Sequence, residues 1–170
     1  MISFKLTDDS GFLAIVNGDR YESFVHEDWD LYQLMDHFVA EMNKENLVIW
    51  ATGLENEWTV VFLPGPSARP AFREFTATIE VTAGRLYLTN YEDLTMVAQF
   101  ADEKLPRPHQ EAQYLELPDG RYALTIRQLY DPAQIDPGAG LEPEPHFEII
   151  AVPAAISATD PIESIFWWEG

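Results

Sequence analysis

Residues 113–131, QYLELPDGRYALTIRQLYD, contain two runs of alternating apolar and polar side chains that flank a tight turn. The second run places Tyr122, Leu124 and Ile126 on one face, which is the period of a half-buried strand. Pro, Asp and Gly at 118–120 are typical of a turn, because glycine adopts positive φ without steric cost. The stretch predicts a strand, a turn and a returning strand.

The same strand pattern recurs along most of the chain. Residues 75–81 alternate, and we expect 75–81 and 83–90 to form a hairpin about a turn at 83–84. The apolar run at 60–62 indicates burial on both faces near the middle of its strand. Strands are also predicted for 2–6, 11–16, 46–53, 57–65 and 146–153.

One segment has a helical period instead. From Asp28 to Lys44, apolar residues recur at intervals of three and four, and either Asp28 or Asp30 is placed to cap the helix. The apolar positions are Leu31, Leu34, Met35, Phe38, Val39 and Met42. This spacing predicts an amphipathic helix with one face packed on a sheet.

Eight or nine short strands and one helix predict a mainly β protein, built as an antiparallel β-sandwich or a partly closed barrel. The 170 residues suit one domain spanning 1–170. Residues 131–145 are predicted to form a surface loop, and 157–170 a C-terminal tail docked on the domain, with a homodimer contact as the alternative. The stretch 94–100 is left open between a short strand and a helical turn.

Charge is the strongest compositional signal, with 29 acidic against 10 basic residues and a net charge of −19. Such a surface disfavours direct contact with nucleic acid, whose phosphates need Lys and Arg, and it attracts basic proteins. The same charge also serves plain solubility. No run of about 18 apolar residues predicts a membrane span, and the N-terminal segment lacks the pattern of a signal peptide, so we expect a cytoplasmic protein.

The residues that carry most enzyme chemistry form no recognisable motif. The chain has no Cys, no phosphate-binding glycine loop, and no serine in a nucleophile-elbow setting. His37 and Glu41 share a helical face, but neither HExxH nor HxH occurs among the four histidines, His26, His37, His109 and His146. We therefore predict no catalytic residue, no metal site and no cofactor.

Two blocks, FTATIEVTAGRLYL at 75–88 and LELPDGRYALT at 115–125, resemble the competence protein J family. The resemblance covers about half the chain between Asp28 and Val152. That family includes an inhibitor of a DNA-entry nuclease, so the resemblance implies a protein that binds and inhibits a nuclease. The loop at 131–146 and the C-terminal tail are the apparent additions to the family pattern.

These observations favour an acidic protein-binding or inhibitory β protein, with a basic protein such as a nuclease as partner. The alternative is a small-ligand carrier or enzyme with an aromatic pocket formed from Trp50, Trp58, Tyr87 or Tyr122, although most of these rings are expected in the core. The predicted partner-binding residues are Glu27, Asp28, Asp30, Asp36, Asp131, Asp136, Glu142 and Glu144.

Overall fold

The fold consists of two β-sheets stacked face to face, with two α-helices against the outer face of one sheet. A computed structural model describes residues 2–135, 144–156 and 160–169. The strands are β1 (Ile2–Asp8), β2 (Phe12–Val16), β3 (Leu47–Ala51), β4 (Asn56–Leu63), β5 (Arg73–Val81), β6 (Arg85–Asn90), β7 (Tyr114–Glu116), β8 (Gly120–Gln128) and β9 (Phe147–Pro153). The helices are α1 (Leu31–Asn43) and α2 (Tyr91–Gln99).

The five-stranded sheet has the order β1-β4-β9-β8-β5, and the four-stranded sheet has the order β3-β2-β6-β7. Their ladders are antiparallel except between β4 and β9, which run parallel. The prediction of a mainly β, antiparallel sandwich is confirmed. The described strands form two separate sheets and not a closed barrel.

Short connections in this fold carry the chain from one sheet to the other. The links β1–β2, β3–β4, β5–β6 and β7–β8 all cross between the sheets. The predicted hairpin of 75–81 with 83–90 is therefore wrong, because β5 pairs with β8 and β6 pairs with β2 and β7. The two strands of 113–131 likewise lie in different sheets. The alternating pattern predicts which face of a strand is buried, and the glycine turn predicts that the chain reverses its direction. A turn that crosses from one sheet to the facing sheet meets both predictions as well as a hairpin does.

The main core lies between the two sheets. Trp50 of the four-stranded sheet and Trp58 of the five-stranded sheet are both fully buried and both contact the ring of Phe147. On β5, the predicted inward face is the observed one: Phe75, Ala77, Ile79 and Val81 all pack in this core. Large rings from both layers thus fill the space that two stacked sheets leave between them.

Helix α1 covers the outer face of the four-stranded sheet. Asp30 is its N-cap: the Asp30 side chain accepts from the Gln33 amide at 2.8 Å, and the Gln33 side chain accepts from the Asp30 amide at 3.0 Å. Leu34, Phe38 and Met42 are buried against this sheet. Of the other predicted positions, Met35 is buried, Val39 is half-buried and Leu31 is exposed. The sequence pattern therefore predicted most of the packed face and one of its two candidate caps.

The stretch left open by the sequence forms α2, a second helix. Asn90 caps it by accepting from the Asp93 amide at 3.0 Å, and Leu94, Val97 and Ala98 are buried beside α1 and the sheet. Helix α2 has only about two and a half turns, which is too short for the spacing of its apolar residues to distinguish a helix from a strand.

In the described residues, neither α1 nor α2 has the length and apolar character needed to cross a bilayer.

The proline-rich segment 64–72 lies over a buried ion pair on the outer face of the five-stranded sheet. Arg127 donates to Glu148, whose side chain is nearly inaccessible, and also to the Arg69 carbonyl at 2.8 Å. Burial by itself raises the pKa of Glu148, but hydrogen bonds from Ser67 and Arg127 outweigh it and hold that pKa below its ordinary value. The ion pair of Arg127 and Glu148 therefore holds the 64–72 segment against the outer face of the five-stranded sheet.

Acidification is expected to weaken the fold through this pair. Because the folded-state pKa of Glu148 is depressed, its contribution to stability is complete above the ordinary pKa of 4.5 and is lost as the pH falls through the folded value. Unfolding by urea, measured from pH 6 downward, checks this. Glu148→Gln should give a shallower pH slope than wild type, whereas Glu74→Gln, at the exposed partner of Arg127, should leave the slope nearly unchanged.

Candidate protein-binding surface

Strand directions bring several turns to one end of the sandwich. The register of β1 with β4 and of β2 with β3 places the turns 8–12 and 52–56 together, and Gln128 at the end of β8 pairs with Phe147 at the start of β9. We call this end, formed by 8–12, 52–56 and 129–135, the acidic end. Three residues, 44–46, reverse the chain between α1 and β3, so the N-terminus of α1 also points toward the acidic end.

Asp8 organises the turns of the acidic end from a fully buried position. Its Oδ1 accepts from the amides of Ser10, Gly11 and Phe12 at 3.0, 2.7 and 3.1 Å. Its Oδ2 accepts from Thr52 Oγ1 at 2.9 Å and from Trp58 Nε1 at 3.1 Å. One carboxylate therefore joins the first turn, the 52–56 turn and the core.

Gly53 allows the segment after β8 to pack against these turns. Its φ of +90° lies in the left-handed region, and a Cβ on Gly53 would lie 2.6 Å from Pro132 Cγ. Asp131 caps the short 3₁₀ turn at 132–134 by accepting from the Ala133 amide at 2.9 Å. The Tyr130 hydroxyl donates to the Thr52 carbonyl, which fixes the start of that segment.

An open cleft of about 660 Å³ lies between these segments and the C-terminal tail. Its walls carry four aromatic side chains, Phe12, Phe72, Trp167 and Trp168. Its carboxylates are Glu55, Asp131 and Glu169. Nearly half of the Phe72 surface is exposed, so the cleft offers apolar rings together with negative charge.

Arg73 is the basic residue in the wall of this cleft. Its guanidinium lies 4.3 Å from the ring centre of Trp167 and donates to Gln128 Oε1 at 3.0 Å and to the Ala51 carbonyl at 3.3 Å. Burial lowers the pKa of Arg73. Two hydrogen bonds therefore hold Arg73 against Trp167, and its single positive charge offsets only part of the charge of the three cleft carboxylates.

The C-terminal tail forms one wall of the cleft. The Phe166 ring stacks on Phe75 at 3.9 Å with an interplanar angle of 7°, and the Ala51 amide donates to the Phe166 carbonyl at 2.9 Å. Ile165 is buried between α1 and the four-stranded sheet. Trp167 has a φ of 66°, which turns its ring toward Phe75 and Arg73.

The structure places the predicted partner-binding residues as follows. Glu27, Asp28 and Asp36 are exposed on or before α1, and Asp30 is exposed as the α1 cap. Asp131 is half-buried in the cleft wall, and Glu144 is exposed just before β9. Asp136 and Glu142 lie outside the described residues. The strand and helix directions thus turn Glu27, Asp28, Asp30, Asp131 and Glu144 toward the acidic end, with Asp36 farther along α1.

Sequence reasoning missed Glu55 and Glu169 as members of the cleft. Glu55 stands in a turn and Glu169 beside two tryptophans, so neither has a distinctive local pattern. Asp8 lies between the predicted strands 2–6 and 11–16, where a polar side chain is expected in solvent, but it is buried. These residues come together because the short links between strands cross from one sheet to the other. A single sequence does not show which links cross in this way.

Half of the ten lysines and arginines lie at or beside the opposite end, formed by 17–19, 44–46, 82–85 and 118–120. Arg121 donates there to Glu45 and to Glu80, both at 2.8 Å. The lysines and arginines at or beside this end are Arg20, Lys44, Arg85, Lys104 and Arg121. Carboxylates at the same end accompany them, among them Glu41, Glu45 and Glu80.

The aromatic residues of the alternative hypothesis belong mainly to the core. Trp50 and Trp58 are fully buried, and Tyr122 is buried with its hydroxyl donating to the Pro118 carbonyl at 2.7 Å. Tyr87 is half-buried and packs on Tyr114. This matches the expectation that most of these rings serve packing. Within residues 2–135, 144–156 and 160–169, no three His, Asp or Glu side chains converge as metal ligands.

Comparisons with known proteins relate the chain by fold alone. No protein-family model and no curated protein matches it. A solved structure described as "Crocagin biosynthetic gene J" is 16% identical with a TM-score of 0.55, over 89% of this chain and 95% of that one. The structure of ComJ from Bacillus subtilis, described as an inhibitor of the DNA degrading activity of NucA, is 12% identical with a TM-score of 0.53, over 91% and 96% of the two chains. The chain is therefore similar in fold to ComJ, as the resemblance in its sequence implied.

Proposed function

We propose that the protein binds and inhibits a basic protein, and that this partner is a DNA-degrading nuclease. The observation that carries the proposal is a cleft whose walls combine four aromatic side chains with three carboxylates. Aromatic anchors surrounded by charged groups are the usual composition of an energetically dominant interface centre. The description of ComJ as a nuclease inhibitor adds support, although its low identity carries only the fold.

The expected mechanism has two steps: charges attract the nuclease, and the bound protein then blocks access of nucleic acid to it. Carboxylates at the acidic end attract a basic surface of the partner. The cleft lined by Phe72, Trp167 and Trp168 then holds a protruding part of that surface, and the bound protein excludes the nucleic acid. Glu27, Asp28, Asp30, Asp36, Asp131, Asp136, Glu142 and Glu144 belong to the proposed rim, and the encounter is proposed to occur in the cytoplasm.

Retention followed by an activity assay tests the function directly. The immobilised protein is used to retain proteins from an extract of the native host, and the retained fraction is eluted and assayed for DNA degradation. We expect a nuclease whose activity falls in proportion to added protein until one equivalent is reached. A retained fraction without nuclease activity, or with activity that the added protein leaves unchanged, would contradict the proposal.

Neutralising the cleft carboxylates should slow association. The variant Glu55→Gln, Asp131→Asn, Glu169→Gln removes three charges and keeps an acceptor at the Asp131 cap. We expect the association rate with the retained nuclease to fall at least about tenfold at low salt, with a smaller loss near 0.5 M salt. Stopped-flow mixing measures both rates.

The matched control is Asp102→Asn, Glu116→Gln, Glu163→Gln, which removes the same net charge from exposed positions away from the cleft. Its association rate should stay within about twofold of wild type. The set Glu27→Gln, Asp28→Asn, Asp36→Asn tests the carboxylates of α1 separately. Equal slowing by the cleft set and the control set would show that net charge, and not the acidic end, governs the encounter.

A further inference from the structure

A second cavity, of about 360 Å³, opens beside the start of α2. It lies next to the 8–12 turn, and we call it the α2 pocket. Its carboxylates are Asp9, Glu92 and Asp93, its amide side chains are Asn90, Gln110 and Gln113, and its basic side chains are Lys5 and His109.

Two of these polar groups are fully engaged by the fold. Asp93 Oδ2 lies 2.9 Å from His109 Nε2, and Asp93 Oδ1 lies 3.6 Å from Arg107 Nε. Asn90 caps α2 and donates to the Thr7 carbonyl at 2.9 Å. Asp93 and Asn90 are therefore structural parts of the pocket wall. A ligand would have to bind to the other polar side chains of the pocket.

Three side chains have a buried polar atom without a partner in the described structure. Glu92 Oε1 accepts from the Asp9 amide at 2.9 Å, but its Oε2 has no donor. Gln113 donates through Nε2 to the Lys5 carbonyl at 2.9 Å, which leaves Oε1 without a donor. Gln110 is only 1% exposed and contacts Thr89 Oγ1 at 2.9 Å through Oε1, so its Nε2 has no partner.

The orientation of the Gln110 side-chain amide can be reversed. Its partner is the Thr89 hydroxyl, which both donates and accepts, so a half-turn of the amide preserves that bond and puts the oxygen at the position without a partner. With Gln110 turned, Glu92 Oε2, Gln113 Oε1 and Gln110 Oε1 are three acceptors, one of them on a carboxylate. Leaving such groups buried without partners is costly, so a multi-donor ligand gains from pairing them.

The helix dipole accounts for only one of these groups. A carboxylate in the first turn of α2 is favourable by itself, which explains Glu92. It does not explain Gln110 and Gln113, which lie outside the helix and have polar atoms without partners beside the same cavity. The combination is suited to a cation with several N–H donors, and the planar guanidinium fork presents five.

We propose that the α2 pocket binds a guanidinium group, namely an arginine side chain of the basic partner. The identity of the protein that carries this arginine rests on the proposed function, whereas binding of the group itself does not. The pocket would then supply specificity beside the aromatic cleft, since a desolvated arginine paired with acceptors is a frequent interface anchor.

Blocked amino acids probe the pocket without any partner protein. N-acetyl-arginine methylamide is titrated into the ¹⁵N-labelled protein, and the side-chain amide signals of Gln110 and Gln113 are followed by NMR. We expect saturable shifts with a millimolar dissociation constant. N-acetyl-citrulline methylamide, which has the same shape without the charge, should bind at least about tenfold more weakly.

Variants locate the binding. Glu92→Gln keeps the acceptor for the Asp9 amide and removes the charge, and it should weaken arginine binding at least about tenfold. Gln113→Leu, outside the helix, should weaken it as well, and Asp102→Asn should leave it unchanged. Absence of saturable shifts, equal binding of citrulline, or full affinity in Glu92→Gln would overturn the inference.

The outcome is separable from that of the proposed function. Arginine binding in the pocket without inhibition of any retained nuclease would contradict the function and support the pocket. Inhibition of a nuclease that Glu92→Gln and Gln113→Leu leave unchanged, in a protein that ignores the arginine probe, would contradict the pocket and support the function.

Discussion

Replacing Asp8 by alanine should lower the free energy of unfolding by about 4 to 5 kcal/mol, because five donors, two of them on buried side chains, lose a charged acceptor together. Those donors are the amides of Ser10, Gly11 and Phe12, the Thr52 hydroxyl and the Trp58 indole. Urea unfolding followed by circular dichroism measures the loss. Asp8→Asn should also destabilise, since its Nδ2 would face donors, but by less than alanine.

The neighbouring residue supplies the control for this prediction. Asp9 has the same side chain one position later and is exposed, with only its backbone amide bonded to Glu92. Asp9→Ala should therefore change the unfolding free energy by no more than about 0.5 kcal/mol. Similar losses at the two positions would show that the buried carboxylate does not organise the acidic end as its bonds suggest.

Deleting residues 165–170 should cost about 2 to 4 kcal/mol and lower the melting temperature, because the stack of Phe166 on Phe75 and the buried Ile165 side chain are lost. The prediction that the tail docks on its own domain is tested by adding a molecular-mass measurement. We expect both the wild type and the deletion variant to have the molecular mass of a monomer in solution. A dimer that becomes a monomer on deletion would instead assign the tail to a homodimer contact.

Single substitutions distinguish the contribution of the Phe166–Phe75 stack to stability from that of the tail as a whole. Phe166→Ala should reproduce most of the loss, whereas Glu169→Ala, at an exposed position of the same segment, should leave the melting temperature within about 1 °C of wild type. If the deletion changes neither melting temperature nor mass, the tail contributes neither to the core nor to an interface.

Local patterns predicted faces and element types well. The alternation at Phe75, Ala77, Ile79 and Val81 fixed the inner face of β5, because side chains on a strand alternate irrespective of the partner. The period of α1 and the Asp30 cap followed from equally local chemistry. The resemblance at 75–88 and 115–125 led to a fold that the solved structures share.

Strand partners and the cleft were beyond the reach of the same patterns. Val81 pairs with Gly120 across a long stretch of sequence, and nothing in an alternating run specifies that register. The polar residues that matter most at the acidic end, Asp8 and Glu55, stand in turns that resemble any other polar turn. Their roles depend on which turns meet at one end, which is a property of topology.

The crossing of short links between the sheets also affects how the chain can acquire its structure. Since β1–β2, β3–β4, β5–β6 and β7–β8 are not hairpins, the ladders β1–β4, β2–β6 and β5–β8 join strands that are not consecutive in the chain. Strand β4 finds its parallel neighbour only when residues 147–150 are available. Such long-range closure is entropically expensive and slows folding. During synthesis, the five-stranded sheet cannot be completed until the ribosome has released β9, so N-terminal fragments of this protein should be poor independent folding units.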